Sequence, residues 1–139
     1  MASKRHDFIV SAIGRKIRQY GFKIIYLDGK FQDLDTKKFD IPPKIINHKP
    51  DIIGERDGIH FCVGEAKTKN DIFSKRTKNQ FFDFFTIVKS GRENILLIGI
   101  PFEAKSDLEK LLLEIGLDNK KQIKILCVPE DLLPDEEEI

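Results

Sequence analysis

Two apolar runs flanking Asp57-Gly58 limit the fold of this chain more than any other feature. Asp-Gly between such runs is a strong hairpin signal, because both residues tolerate the positive φ angles of a tight turn. Asp51-Ile52-Ile53-Gly54 reads as a short strand before the turn, and Ile59 to Ala66 as a second strand after it. Alternation along the second strand puts Phe61, Val63, Glu65 and Lys67 on one face. Phe61 and Val63 belong in a core, which draws Glu65 and Lys67 toward the same covered side. A carboxylate and an ammonium at the end of a buried strand are costly to desolvate. A bound metal with its substrate is one candidate for offsetting that cost. The plain alternative is an ordinary solvated strand face, which the apolar company of Phe61 and Val63 argues against.

The remaining elements can be read in chain order. Ser3 can cap a first helix that Gly21 ends, with Phe8, Ile9, Ala12, Ile13, Ile17 and Tyr20 at helical spacing. Phe22 to Leu27 is a strand. Asp28 to Asn47 is a long connection holding Lys37-Lys38 and Pro42-Pro43, a kind of loop that is uncommon unless functional or mobile. Lying just before Asp51, it would sit near a substrate, as a DNA clamp, a dimer contact or a flexible excursion. Ile41 and Ile45-Ile46 suggest that part of it is packed.

After Lys67, a basic turn leads into a helix from about Asp71 to Ser90, capped by Asn70 or Asp71. Ile72, Phe73, Phe81, Phe84, Phe85 and Val88 supply its core face. Asn94 to Ile100 is a strand, Glu103 to Ile115 an amphipathic helix and Gln122 to Val128 a last strand. The order α-β-β-β-α-β-α-β predicts an α/β domain with a mixed central sheet flanked by helices.

Within this frame, Pro50-Asp51 is followed by Glu65-x-Lys67, with the carboxylates 14 positions apart. This pattern resembles the PD-(D/E)xK nuclease superfamily, whose restriction-endonuclease-like core has a similar element order. The resemblance covers nearly all of residues 3–128, and the small archaeal Holliday junction resolvases look most alike in size and layout. It implies a DNA endonuclease that uses Mg²⁺, with Mn²⁺ able to substitute. Asp51 and Glu65 would supply metal oxygens, joined by the backbone carbonyl of Ala66. Lys67 would hold the attacking water and steady the developing charge. These roles suit the chemistry, because Mg²⁺ prefers oxygen ligands and takes one or two carboxylates beside substrate phosphate.

Family members often carry a metal-site glutamate on the first helix. Here the only acid on that helix is Asp7, which either substitutes through water or simply favours the helix's positive end. Gln80-Phe81-Phe82-Asp83-Phe84 resembles the family's Gln-x-x-x-Tyr motif, with Phe84 replacing the tyrosine. Phe84 then reads as core. Gln80, among phenylalanines, needs a polar partner and reads as a site residue. Lys69, Lys75, Arg76 and Lys78 form a basic side suited to DNA. The readings left beside a junction-selective nuclease are a restriction-type or repair nuclease and an inactive nucleic-acid-binding subunit of the same fold.

Charge supports a polyanion partner once it is divided along the chain. Residues 130–139 hold six acids and no base, so residues 1–129 carry 24 basic against 17 acidic side chains, a net of +7. The expected division is a nuclease domain over 1–129 and an acidic, solubilising tail over 130–139. Cys62 and Cys127 lie in apolar runs without metal-ligand spacing, and read as buried free thiols of a reducing compartment. His6, His48 and His60 form no zinc pattern. No apolar run approaches the ~20 residues of a membrane span, and the N-terminus lacks a signal-peptide core. A cytoplasmic protein is expected, and a homodimer is implied by the resemblance.

Overall fold

Asp57 and Gly58 both adopt positive φ, 57° and 73°, and the Ile59 N–H donates to the Arg56 carbonyl across them at 3.3 Å. That turn joins β2 (Ile52–Arg56) to β3 (His60–Ala66) as an antiparallel hairpin. The structure, a computed structural model, describes residues 3–29, 31, 34 and 39–135. Its other elements are α1 (Lys4–Gln19), β1 (Lys23–Leu27), α2 (Lys75–Val88), β4 (Ile95–Pro101), α3 (Lys105–Glu114) and β5 (Ile123–Val128). The five strands form one mixed sheet in the order β1-β2-β3-β4-β5. β1 and β3 run antiparallel to β2, whereas β3, β4 and β5 are mutually parallel. The parallel pairs are joined through α2 and α3, since parallel neighbours need a long crossover.

The two faces of the sheet bury different helices. Ile9, Val10, Ile13 and Ile17 of α1 pack with Ile52, Cys62, Ala66 and Leu97 on one side. Phe81, Phe84 and Val88 of α2 and Leu108, Leu111 and Leu112 of α3 pack with Ile53, Val63 and Ile98 on the other. The alternation of β3 thus holds: Cys62 and Ala66 face α1, whereas Val63 faces α2. Gly64 and Gly99 let α1 lie close, because a Cβ on either would come within 2.7 Å of an Ile13 side-chain carbon. Ser3 caps α1 as expected, its hydroxyl oxygen accepting the His6 N–H at 3.0 Å.

Several expectations need correction. The helix predicted from Asp71 begins later. Lys69–Asp71 is a short 3-10 turn and the cap of α2 is Ser74, whose Oγ accepts the Thr77 N–H at 3.1 Å. Asp71 is engaged elsewhere, accepting from Thr68 Oγ1 on its side chain and from Thr77 Oγ1 on its carbonyl. Phe73 therefore falls before the helix and is 52% exposed, not core. The third helix also starts late, because Phe102–Ala104 forms a separate 3-10 turn. In the long connection Ile45 is buried, but Ile41 and Ile46 are exposed. Lys37-Lys38 lies outside the described residues.

The acidic segment expected as a tail does not leave the domain at residue 130. Glu130–Leu132 is a 3-10 turn, Glu130 pairs with Arg5 at 2.7 Å, and Leu133 is buried in the α1-side core. Glu136, Glu137 and Glu138 lie outside the described residues.

Candidate functional site

An antiparallel hairpin sets the start of β2 beside the end of β3, and so brings Asp51 to Glu65 and Ala66. The Asp51 N–H donates to Glu65 Oε1 at 3.1 Å, and the Ala66 N–H donates to Asp51 Oδ2 at 2.8 Å. A residue in an extended strand turns its N–H and C=O to the same side. The Ala66 carbonyl therefore faces the Asp51 side too. Lys67 stays along β4 through its N–H to the Gly99 carbonyl at 2.9 Å. Its Nζ lies 3.3 Å from Glu65 Oε2 and donates to Gln80 Oε1 at 2.5 Å. Glu65, Lys67 and Gln80 are each less than a tenth exposed. The polar partner that Gln80 needed among its phenylalanines is Lys67.

Burial and mutual repulsion divide the charges. Burial, with the adjacent Asp51 charge, pushes the Glu65 carboxyl well above the usual range, and Lys67 offsets only part of this. Burial also works to raise Asp51, but hydrogen bonding and charge from His6, with the Ala66 N–H, outweigh it and hold Asp51 below its ordinary value. Asp51 thus carries the negative charge more readily, and Glu65 the proton. His6 Nε2 lies 3.2 Å from Asp51 Oδ2, and His6 Nδ1 is 3.6 Å from Asp7 Oδ1. Burial opposes charging the His6 ring, yet Asp51 and Asp7 together raise its pKa above 6.5.

These groups line a cleft of about 470 Å³ with Asp28, Lys44, Asn47, His48, Lys49 and Arg76. A carboxylate pair with a carbonyl beside it is an oxygen donor set, which suits Mg²⁺ rather than a metal preferring nitrogen or sulfur. Among the described residues no three His, Cys, Asp or Glu side chains form a group that could hold a metal by themselves. Such a set would leave several coordination positions to water and a phosphate oxygen, which is how Mg²⁺ is commonly bound.

The residues expected from the sequence are distributed unevenly about this cleft. Asp51, Glu65, Ala66, Lys67, Gln80 and Arg76 all line it. Asp7 is half exposed and reaches Asp51 only through His6. Lys69 and Lys75 are exposed and stand outside the lining, and Lys78 is paired with Glu114 on α3 at 2.8 Å. Reading by spacing missed His6, His48, Lys44 and Lys49. His48 and Lys49 immediately precede Pro50-Asp51, so closeness in sequence to Asp51 was the available signal. His6 had none, because its approach depends on how α1 packs.

No protein-family model matches the chain, nor does any curated protein or solved structure.

Proposed function

We propose that the chain is a Mg²⁺-dependent DNA endonuclease of the PD-(D/E)xK kind, acting on branched DNA as Holliday junction resolvases do. The observation that carries this reading is the convergence of Asp51, Glu65 and Lys67 at one polar cleft, with Lys67 Nζ held between Glu65 and Gln80. The mixed five-stranded sheet with helices on both faces supports it, being compatible with a restriction-endonuclease-like core. Asp51, Glu65 and the Ala66 carbonyl would hold the metal. Bound there, Mg²⁺ would neutralise phosphate charge and ease deprotonation of a water. Lys67 orients that water and stabilises charge developing on phosphorus-bound oxygens. Gln80 fixes the Lys67 ammonium, while Arg76, Lys44 and Lys49 neutralise neighbouring phosphates.

A homodimer fits this reading, since one site cuts one strand and symmetric junction cleavage needs two. A cytoplasmic setting fits the free thiols of Cys62 and Cys127. Among the described residues no helix is long and apolar enough to cross a membrane.

Nicking of supercoiled plasmid with and without Mg²⁺ tests the enzyme, and a panel of junction, flap, duplex and single-stranded DNA tests its selectivity. Metal-dependent nicking with preference for junctions is expected. DNA binding without nicking in either Mg²⁺ or Mn²⁺ would instead favour an inactive binding subunit. Preference for duplex would favour a restriction-type or repair nuclease.

A further inference from the structure

We propose that His48, aimed by Asp83, protonates the leaving oxygen during phosphodiester cleavage, an inference that rests on the nuclease reading above. His48 Nδ1 lies 2.7 Å from Asp83 Oδ2, and both side chains are 16% exposed. The same carboxylate oxygen accepts the Asn47 N–H at 3.2 Å. One acid on α2 thus pins both the backbone and the ring of the turn that carries His48.

The turn is built for that purpose. Ile45 and His48 exchange backbone hydrogen bonds, at 2.8 Å from the Ile45 N–H and 3.2 Å from the His48 N–H. Ile45 is anchored in the core on the α2 side. Between them Ile46 takes a φ of 59° and is exposed. A β-branched residue in the left-handed region is strained, and such strain persists only where the surroundings over-determine it. Here the surroundings are the Ile45 anchor, the paired backbone and the Asp83 carboxylate. What they jointly fix is the direction of the His48 ring.

His48 lines the cleft with Asp51, Glu65, Lys67 and Gln80. Asp83 follows Gln80 by three residues, so one face of α2 holds both Lys67 and His48. With Nδ1 engaged by Asp83, the opposite ring nitrogen, Nε2, makes no hydrogen bond among the described residues. His6 differs, because its Nε2 is taken by Asp51. Lys67 Nζ is likewise engaged, by Glu65 and Gln80. Lysine and arginine hold their protons too tightly to be good acids near neutrality, whereas histidine is suited to the task.

In the step, water attacks phosphorus and its proton passes to solvent. The bond from phosphorus to the leaving ester oxygen breaks, and that oxygen keeps the electron pair and takes the proton from Nε2. The imidazole left neutral regains a proton from solvent, so the cycle closes. His48 is then a catalytic residue and Asp83 a positioning residue.

The test is single-turnover cleavage with Mg²⁺ at a bond mapped with the unaltered protein, using ordinary DNA and DNA with sulfur replacing the leaving oxygen. Sulfur leaves without protonation. His48→Asn suits the test because its amide can still donate to Asp83 while Nε2 is lost. It is expected to slow the oxygen ester by about 10²–10⁴-fold and to cut the sulfur ester within a few-fold of the unaltered protein. Asp83→Asn is expected to slow the oxygen ester less, again with the sulfur ester spared. Unchanged cleavage of the oxygen ester by His48→Asn would overturn the proposal, as would equal slowing on both esters. If the unaltered protein cuts no DNA at all, the nuclease reading itself falls, an outcome distinct from the previous two.

Discussion

The backbone N–H of Asp51 donates to Oε1 of Glu65 at 3.1 Å, which ties the entrance of β2 to the exit of β3. The bond holds two acids close at the mouth of a cleft and creates the repulsion that separates their proton affinities. It also means that each acid is part of the other's geometry, so charge and shape can be varied separately only by amide substitutions.

Asp51→Asn keeps an oxygen to accept the Ala66 N–H, now 2.8 Å from the carboxylate. Cleavage should fall by about 10³-fold or more, as for other residues acting as one catalytic unit. DNA binding should hold or strengthen, since a negative charge facing phosphate is removed. Cleavage rates and filter binding check this together, and a variant that still cuts with Mg²⁺ would remove Asp51 from the metal site.

Glu65 makes metal-free stability depend on pH. Its folded pKa is raised, so the folded state binds its proton more tightly than the unfolded chain does. Its contribution is full below the ordinary value of 4.5 and is lost as pH rises through the raised folded value. Asp51 works oppositely, its contribution being present above 3.8 and lost as pH falls. Glu65→Gln abolishes the first effect, and between pH 5 and 8 the second is already fully present. Without metal, its melting temperature relative to the unaltered protein should therefore climb as pH rises from 5 to 8, by a few degrees. A gap independent of pH would show that Glu65 is charged in the metal-free fold.

Gln80→Ala leaves Lys67 Nζ with Glu65 as its remaining partner in the site. A loss of about 10–100-fold in single-turnover cleavage is expected, the usual effect of removing a group that orients a catalytic one. Binding of DNA should change little. If binding falls as much as the rate, Gln80 contacts DNA directly rather than through Lys67.

The cations around the cleft should differ in weight. Arg76→Ala and Lys49→Ala should each weaken DNA binding and reduce the slope of log affinity against log salt by about 1. Lys78→Ala should have little effect, because its ammonium is spent on Glu114. Titrations at several salt concentrations measure all three, and equal slopes for every variant would move the DNA path off this cleft.

Cys62 is fully buried between β3 and α1, and burial pushes its thiol pKa up to about 12. Cys127 is only partly buried. Alkylation at pH 8 should label Cys127 alone in the native protein and both thiols after denaturation. Native labelling of Cys62 at the same rate would mean that α1 lifts from the sheet.

The hairpin, the burial of Val63 and Glu65 on one face of β3 and the cap at Ser3 were all legible from residue order. Each depends on neighbours in the chain: the φ tolerance of Asp57-Gly58, the two-residue period of a strand, a hydroxyl three residues before the N–H it accepts. The pairing of Asp51 with Glu65 was also within reach, because a hairpin converts sequence spacing directly into distance. Local pattern did not reveal the start of α2, where Ser74 takes the Thr77 N–H, the Asp71 side chain turns back to Thr68 and tertiary packing leaves Phe73 outside. Nor did it reveal His6 at Asp51 or Asp83 at His48. Those contacts form only when α1 settles onto Gly64 and Gly99 and when α2 crosses between β3 and β4. Chain folding of that range brings together side chains that carry no shared period, so their meeting is a property of packing and not of any stretch of sequence.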